Sequence, residues 1–543
     1  AFYKIQDHMI IATYCLQEDT GAIHPQDWPY EGSDEQEIIE TRQGKVYADY
    51  QTSEGSFLFV LNPVIDDNGE VIGLLEVGTD LNSFQSENQA MVVDLFINIL
   101  AITVVVILVA LELIIFIQAK GDYDRNWIRR REGGLPAAVP ADVLRMIVFA
   151  IFFLTNVATG FLPIYAMELA GDSGISTIPA EVMAALPISA EVVVGAVFSV
   201  FGSAVLERLG EKRSVVISAI LFTAGFALRS VPNIWVLTIG NGVVGAGWGM
   251  LLLIINTMIA MLPEAEKDKG FASYNAAAQN GVNCGVVFGS FLINWFSHQG
   301  IFIIITALSL AVYFLSMKYL TRYSAAGSQA ETGEKGSGMS VFRFLLKGRV
   351  LVYFAMICVP MIAGGYFLIY TFPILAAGYG MQETHVGYAY LLNGLCIMAF
   401  SNVLTNFFSK KDRKRGALVL AAAIYGAAFV LVAVYQNIPA LLAAIILMGL
   451  SDSFGLPLQT GHYTDLEEVK SFGYERAIGV YSLFENGAQA AGSFIFSYAL
   501  VIGVRQGLFL ITGILMALAV LFFVLDYGMV KRQRRGLRGT AAE

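Results

Sequence analysis

"GSAVLERLGEKRS", residues 202–214, places Glu207, Arg208, Glu211, Lys212 and Arg213 between two apolar runs, Val192–Val205 and Val215–Val231. Charges packed this densely inside a greasy chain mark a point where the polypeptide leaves a bilayer and turns back into it. The composition agrees: 56% of the residues are hydrophobic and 14% charged, whereas soluble domains carry roughly 25% charged residues. The net charge of -10 is segregated. Residues 1–91 are rich in Asp and Glu, with only Lys4, Arg42 and Lys45 as bases, and nearly all other Lys and Arg lie after residue 118. A basic nucleic-acid surface is therefore not indicated. Cys15, Cys284, Cys358 and Cys396 imply no disulfide framework, three of them lying in apolar runs. The chain starts without Met or a signal peptide, which reads as a truncated N-terminus that has lost an earlier anchor helix.

Outward from the loop, apolar stretches centre on 145–168, 180–206, 214–231, 233–262, 271–297, 300–321, 348–378, 383–409, 416–435, 438–464, 472–500 and 503–530. Each is long enough for a membrane helix or close to it, and the longer ones fit tilted helices. Ahead of them Met91–Ile117 predicts one extra N-terminal anchor helix. The basic loops "RRR" (129–131), "ERLGEKR", "EKDKG", "RFLLKGR" and "KKDRKR" and the tail "KRQRRGLR" fall on one alternate side, against Arg229 and Arg505 on the other. Lys and Arg favour the cytoplasmic side, so both ends of the bundle are expected inside and residues 1–90 outside.

Tyr323–Ser340, rich in Gly, Ser and Ala, reads as a flexible linker between the sixth and seventh bundle helices. The two sixes echo each other: "QNGVNCGVVFGSF" (279–291) matches "ENGAQAAGSF" (485–494), and "FLPIYA" (161–166) matches "FPILA" (372–376). Duplicated six-helix halves are a transporter signature, with the substrate site near midplane between them. The expected domains are 1–90 outside, 91–118 anchor helix, 119–142 basic linker, 143–322 and 348–530 as the two halves, 323–347 the linker between them, and 531–543 a basic tail.

The opening stretch, with Gly202, Glu207-Arg208, Gly210 and Lys212-Arg213 at these spacings, resembles the signature loop between helices 2 and 3 of the major facilitator superfamily. Glu stands where that pattern has Asp, and Glu211 takes a usually basic place. The resemblance implies a mainly α membrane protein, a 12-helix bundle of 6+6 pseudo-repeat. It also implies a gating loop in which Glu207 and Arg208 latch one state by contacts that include the region of helix 11. The plainer topological reading is a positive-inside stop signal. Gly202 suits close helix approach and Gly210 a tight turn. Gly281, Gly285 and Gly289 line one face of helix 5, and Gly245, Gly247 and Gly249 mark helix 4. Helix packing is the expected role of all six. Helix 5 resembles the glycine-rich helix of family antiporters, without the usual proline, and Asn241 stands where helix 4 of the family has arginine.

Ionisable groups inside apolar stretches each need a partner or a cavity. Glu191, Asp452 and Glu485 are the proton-coupling or substrate candidates, since low dielectric favours a neutral carboxyl and suits a proton-transfer step; each can equally be a hydrogen-bonded structural acid. Asn156, Asn256, Gln279, Asn280, Asn393, Gln459 and Asn486 are candidates for polar cavity groups, with interhelical hydrogen bonding as the alternative for each. Glu112 in the anchor helix is expected to reach the headgroups without a functional role, and His462 to be structural. No metal-ligand spacing, nucleophile elbow or phosphate loop appears, so neither a metal, a cofactor nor an enzyme activity is expected.

In residues 1–91, "GKVYADY", "SFLFVLNPV" and "EVIGLLEVGTDL" are strand-like, with "DDNG" (66–69) as a hairpin turn. "NPVIDDNGEVIGLLEVGTDLNSF", running straight into a membrane helix, resembles the last hairpin and exit of an extracellular Cache-type sensor domain. It implies a partial α+β (Cache/PAS-like) domain with an extracellular ligand, for which Tyr47, Asp49 and Tyr50 are pocket candidates. The reading that follows is a bacterial-type cell-membrane secondary transporter. It moves a small organic solute by alternating access, proton-coupled and leaning to export. Its rival is a receptor in which the sensor-like domain and bundle regulate a cytoplasmic effector.

Overall fold

The structure, a computed structural model, describes all residues except 1, 7–8, 15–27, 30–34, 53–54, 133–138, 175–176, 261, 263, 321–340, 409–412 and 541–543. The linker read at Tyr323–Ser340 and part of "KKDRKR" therefore lie outside the described residues. The chain divides into two compact units, Ala1–Leu100 and Ala101–Glu543.

In the first unit six antiparallel strands form a sheet of order β3-β2-β1-β6-β5-β4. They are β1 (Phe2–Gln6), β2 (Met9–Tyr14), β3 (Trp28–Pro29), β4 (Lys45–Thr52), β5 (Gly55–Ile65) and β6 (Val71–Asp80), with α1 (Glu35–Thr41) between β3 and β4. β5 and β6 pair in register from Phe57↔Asp80 to Val64↔Gly73, and Gly69 between them takes φ 86°, so the expected turn is where "DDNG" sits. Asp66 caps it: its carboxylate accepts from the backbone N–H of Asn68 (2.9 Å) and Glu70 (2.8 Å). Tyr3, Ile10, Ile38, Phe59, Leu61 and Leu74 make the core.

A long helix, α2 (Leu81–Glu132), follows β6. It starts before and ends after the apolar run expected to be the anchor. Its polar flanks, such as "QSENQA" and "DYDRNWIRRRE", contain good helix formers and no proline, so nothing stops propagation.

The second unit continues with α3 (Ala141–Asn156), α4 (Leu162–Gly171), α5 (Ala180–Leu209), α6 (Glu211–Arg229), α7 (Ile234–Ala260), α8 (Glu264–Leu292) and α9 (His298–Tyr319). After the linker come α10 (Val341–Leu345), α11 (Gly348–Tyr353), α12 (Val359–Tyr366), α13 (Phe372–Gly378), α14 (Glu383–Phe408), α15 (Lys414–Tyr435), α16 (Ile438–Thr464), α17 (Glu467–Phe472), α18 (Tyr474–Ile502) and α19 (Val504–Thr540). α3 with α4, and α11 to α13, each follow one of the apolar stretches in the sequence, and the other long helices follow one each. Among the described residues, eight helices are long and apolar enough to cross a membrane.

Several breaks fall at prolines, whereas Pro187 of α5 and Pro457 of α16 lie within uninterrupted helices. Pro163 opens α4 after the turns at 157–161. Pro360 and Pro373 open α12 and α13, and π-helical turns at Phe354–Cys358 and Phe367–Thr371 precede them. A wider turn accommodates the carbonyl that would otherwise meet the proline ring.

The internal repeat reappears as packing. α5 packs on α7, α6 on α7, α6 on α9 and α3 on α8; six stretches later, α14 packs on α16, α15 on α16, α15 on α19 and α12 on α18. The halves meet through two related seams, α5 with α18 and α8 with α14. The repeated glycines serve equivalent contacts. Gly281 and Gly285 face the backbone of Phe149 and Phe153 on α3 and Gly289 that of Val157 just after it, while Gly492 faces Ala363 and Tyr366 on α12. A side chain at any of the four would force its neighbouring helix away.

The added helix α2 is joined to this bundle by charge. Glu112 is 1% exposed and accepts from Arg145 Nε (2.7 Å) and Nη2 (2.6 Å) on α3 and from Asn280 Nδ2 (2.8 Å) on α8. This corrects the expectation that Glu112 reaches the headgroups. The apolar walls of three helices enclose it, and Arg145 supplies the counter-charge that makes burial tolerable. Tyr123 of α2 packs edge-on to Tyr319 of α9, and Ala101 packs with Val287 of α8 and Tyr388 and Leu391 of α14.

Candidate functional site

A cavity of about 190 Å³ lies where the halves face each other, walled by α3, α4, α5 and α7 from the first and by Tyr366, Ile369 and Gln489 from the second. Its shape starts with glycines. Gly245 and Gly249 of α7 lie against the backbone of Glu191 and Gly195 on α5, so these two helices touch main chain to main chain. Gly195 also leaves the space that the Trp248 indole fills. Trp248 thereby lines the cavity beside Glu191.

Glu191 is the only ionisable acid or base among the lining residues apart from the Tyr366 phenol. Its Oε2 accepts from Arg229 Nη2 at 2.7 Å. The glutamate side chain is 15% exposed and the arginine 0%, so the cavity sees the carboxylate while the guanidinium stays behind it. Arg229 was expected on the outer polar side of the bundle. It closes α6 with its side chain buried, over the Phe226 ring at 4.8 Å, and Glu191 is the partner that permits its burial. Its Nε and Nη1 find no hydrogen-bond partner among the described residues.

The polar neighbours are turned inward on themselves. Asn156 Nδ2 donates to Phe152 O (2.8 Å), Thr155 Oγ1 donates to Ile151 O (3.0 Å), and Thr159 Oγ1 donates to Asn156 Oδ1 (3.3 Å). Across the cavity Tyr366 donates its hydroxyl to Gln489 Oε1 at 3.3 Å.

Of the sequence candidates, Glu191 and Asn156 line the cavity; the others lie elsewhere. Asp452 accepts from Tyr425 Oη at 2.7 Å, and that ring rests on Gly364 and Gly365 of α12. Glu485 is partly buried, within electrostatic reach of Cys358, Tyr366 and Tyr481. Asn280 is held by Glu112, Asn256 meets Tyr274, and Gln279 is exposed. Asn393 donates to Ile445 O (3.3 Å), and Asn486 donates to Ser482 O (2.7 Å). Gln459 is buried against Met361. His462 is buried near Asp526, which bridges Arg349 and Arg415 at the ends of α11 and α15.

In the opening loop, Gly202 packs against Met250 and Leu253 of α7, and Gly210 takes φ 77° between α5 and α6. Arg208, Lys212 and Arg213 are exposed, with no ion pair among the described residues. Trp248, Tyr366, Gln489 and the Arg229 partnership were not anticipated. The one local signal was "GAGWG" (245–249), an aromatic set among glycines.

Comparisons with known proteins agree with this architecture. A family model described as Major Facilitator Superfamily matches residues 146–411 and 361–541. Among solved structures, a POT family transporter in complex with a thioalcohol-conjugated peptide superposes with TM-score 0.57 at 11% identity, over 72% of this chain and 96% of that one. A POT family transporter in complex with 5-aminolevulinic acid gives TM-score 0.55 at 12% identity, over 71% and 95%. The nucleoside transporter NupG gives 0.56 at 13%, over 70% and 99%. No curated protein matches the sequence.

Proposed function

The chain belongs to the Major Facilitator Superfamily, and from that premise we propose that it is a secondary active transporter moving a small organic solute by alternating access. The observation that carries this is the cavity itself. It is built from helices of both halves and holds one carboxylate, so rocking one half on the other would change which side it faces. The similar solved structures are POT family transporters in complex with a thioalcohol-conjugated peptide or with 5-aminolevulinic acid, and a nucleoside transporter, which supports a solute of modest size.

Proton coupling is assigned to Glu191, with Asp452 and Glu485 as further candidates. The groups facing Glu191 are Arg229 from α6, Trp248 from α7 and the Tyr366 phenol from α12, which Glu485 on α18 also reaches electrostatically. Protonation of Glu191 would release Arg229 from its partner, a charge rearrangement at the α5–α6 contact that can be tied to the two states. The exposed Arg208, Lys212 and Arg213 beside the Gly210 break support a gating loop that pairs in only one of those states. The basic loops favour a cell-membrane orientation with residues 1–90 outside, as a Cache-like sensor for an extracellular ligand. The helix 5 glycines lean the direction towards export.

Reconstitution into proteoliposomes under an imposed pH gradient tests this. Gradient-driven flux of a solute, lost when Glu191 is neutralised, is the expected result. No gradient-driven flux across a broad solute panel overturns the transporter reading and leaves the receptor. Flux unchanged by Glu191→Gln, Asp452→Asn and Glu485→Gln removes the coupling assignment alone.

A further inference from the structure

We infer that the cavity recognises a small organic cation, an ammonium on an aromatic or apolar body, bound through the Glu191 carboxylate. This rests on the reading of the cavity as the transport site and adds the substrate's chemical class.

Charge is the first argument. No Lys, Arg or His side chain lines the cavity. The nearest cation, Arg229, is fully buried behind Glu191 and has no surface to offer an anion. A carboxylate has about four lone-pair sites. Arg229 takes one, so acceptor capacity remains on an oxygen-bearing group that the cavity reaches.

Hydrogen-bond accounting points the same way. The hydroxyl protons of Thr155 and Thr159 and the amide protons of Asn156 are spent on α3 and the turn after it, and the Tyr366 proton is spent on Gln489. What these groups can still show a ligand is lone pairs. The Gln489 amide NH2 is the exception. A wall of acceptors selects a ligand rich in N–H donors and penalises one that brings further acceptors.

The apolar part of the wall completes the match. Phe152, Trp248 and Tyr366 supply aromatic faces, which attract cations within about 6 Å and also stack on aromatic bodies. The cavity, at about 190 Å³, is smaller than the roughly 300–1,000 Å³ of drug-sized sites, so the ligand is compact.

Three near-isosteric probes test the class on the purified full chain: phenethylamine, 3-phenylpropionate and 2-phenylethanol, scored by thermal stabilisation and by quenching of tryptophan fluorescence. Phenethylamine is expected to bind at least tenfold tighter than the other two. Glu191→Gln should weaken it at least tenfold. Because that change strands Arg229, the paired Glu191→Gln/Arg229→Gln variant is measured alongside and should show the same loss. Equal or tighter binding of the carboxylate or the alcohol overturns the inference. So does failure of phenethylamine to bind, or undiminished phenethylamine binding by the paired variant. Flux separates the two readings: gradient-driven movement of an anionic or neutral solute keeps the transporter and removes the cation. Amine binding at Glu191 without flux of any solute does the reverse.

Discussion

Two of the glutamate–arginine pairs among the described residues of the helical unit close to 2.6 Å and 2.7 Å, and their surroundings differ. Glu112 is met by two nitrogens of Arg145 and by Asn280, and Arg145 also reaches Ser273 at 3.4 Å. Glu191 is met by one nitrogen of Arg229, whose other two find no partner among the described residues, and its carboxylate borders open space. A buried ion pair offsets its desolvation only when the remaining donors and acceptors are also bonded. The Glu112 site meets that condition and behaves as a rivet between α2, α3 and α8. The Glu191 site falls short of it, with capacity left on the side a ligand or proton can approach.

The sharpest way to break this comparison is to remove one member of the saturated pair. Arg145→Leu leaves Glu112 buried without its counter-charge and is expected to cost about 3–5 kcal/mol, read as a lower denaturation midpoint; an unchanged midpoint would show that the rivet carries nothing. Removing both members separates the sites. Glu112→Leu with Arg145→Leu should keep solute flux within about threefold, since apolar replacement of a whole buried pair is often neutral. Glu191→Gln with Arg229→Gln should lower flux at least tenfold with the protein still folded, the loss of a charge-assisted contact worth about 1.5–3 kcal/mol. Equal flux in the two double variants would dissolve the distinction.

Packing supplies a control without charge. A side chain at Gly289 meets the Val157 backbone, whereas Gly479 on α18 has open space around it. Gly289→Val is therefore expected to cost about 1–3 kcal/mol through overpacking, while Gly479→Ala gains up to about 1 kcal/mol of helix propensity; matching thermal melts would contradict the assigned α3–α8 contact.

The smallest effect lies outside the bundle. The backbone N–H groups of Glu70 and Asn68, donating to Asp66, hold its carboxyl below the usual aspartate range. A depressed folded-state value means that the stabilisation is complete above an unfolded aspartate's value of about 4, and fades as pH falls through the folded value. Protection of the Gly69 and Glu70 amides against hydrogen exchange, relative to their intrinsic rates at each pH, should fall in Asp66→Ala at neutral pH, and in the parent only under acid.

Hydropathy made the helices legible, but unevenly. Five of the apolar stretches, those of α3–α4, α6, α8, α14 and α18, are not among the helices both long and apolar enough to cross, α3–α4 because its break at 157–161 leaves pieces of 16 and 10 residues. α3–α4 lines the cavity, and α8, α14 and α18 form the seams between the halves. Side chains such as Asn280, Glu383 and Glu485 dilute their hydropathy because they do not face lipid alone. The repeat and the glycine spacing still marked them as bundle helices. The candidate site was less legible: of ten acid and amide candidates within the bundle, Glu191 and Asn156 line the cavity. An ionisable residue in an apolar run announces that it needs a partner without announcing which.

What the sequence by itself determined is the alternation of apolar stretches, their duplication and the glycine contacts, because lipid and helix geometry act on residues a few positions apart. Only the tertiary structure decided that Glu191 belongs to Arg229, 38 residues on, and that Glu112 belongs to Asn280, 168 residues on. Such pairings follow from which helix faces pack together, and no local pattern encodes that choice.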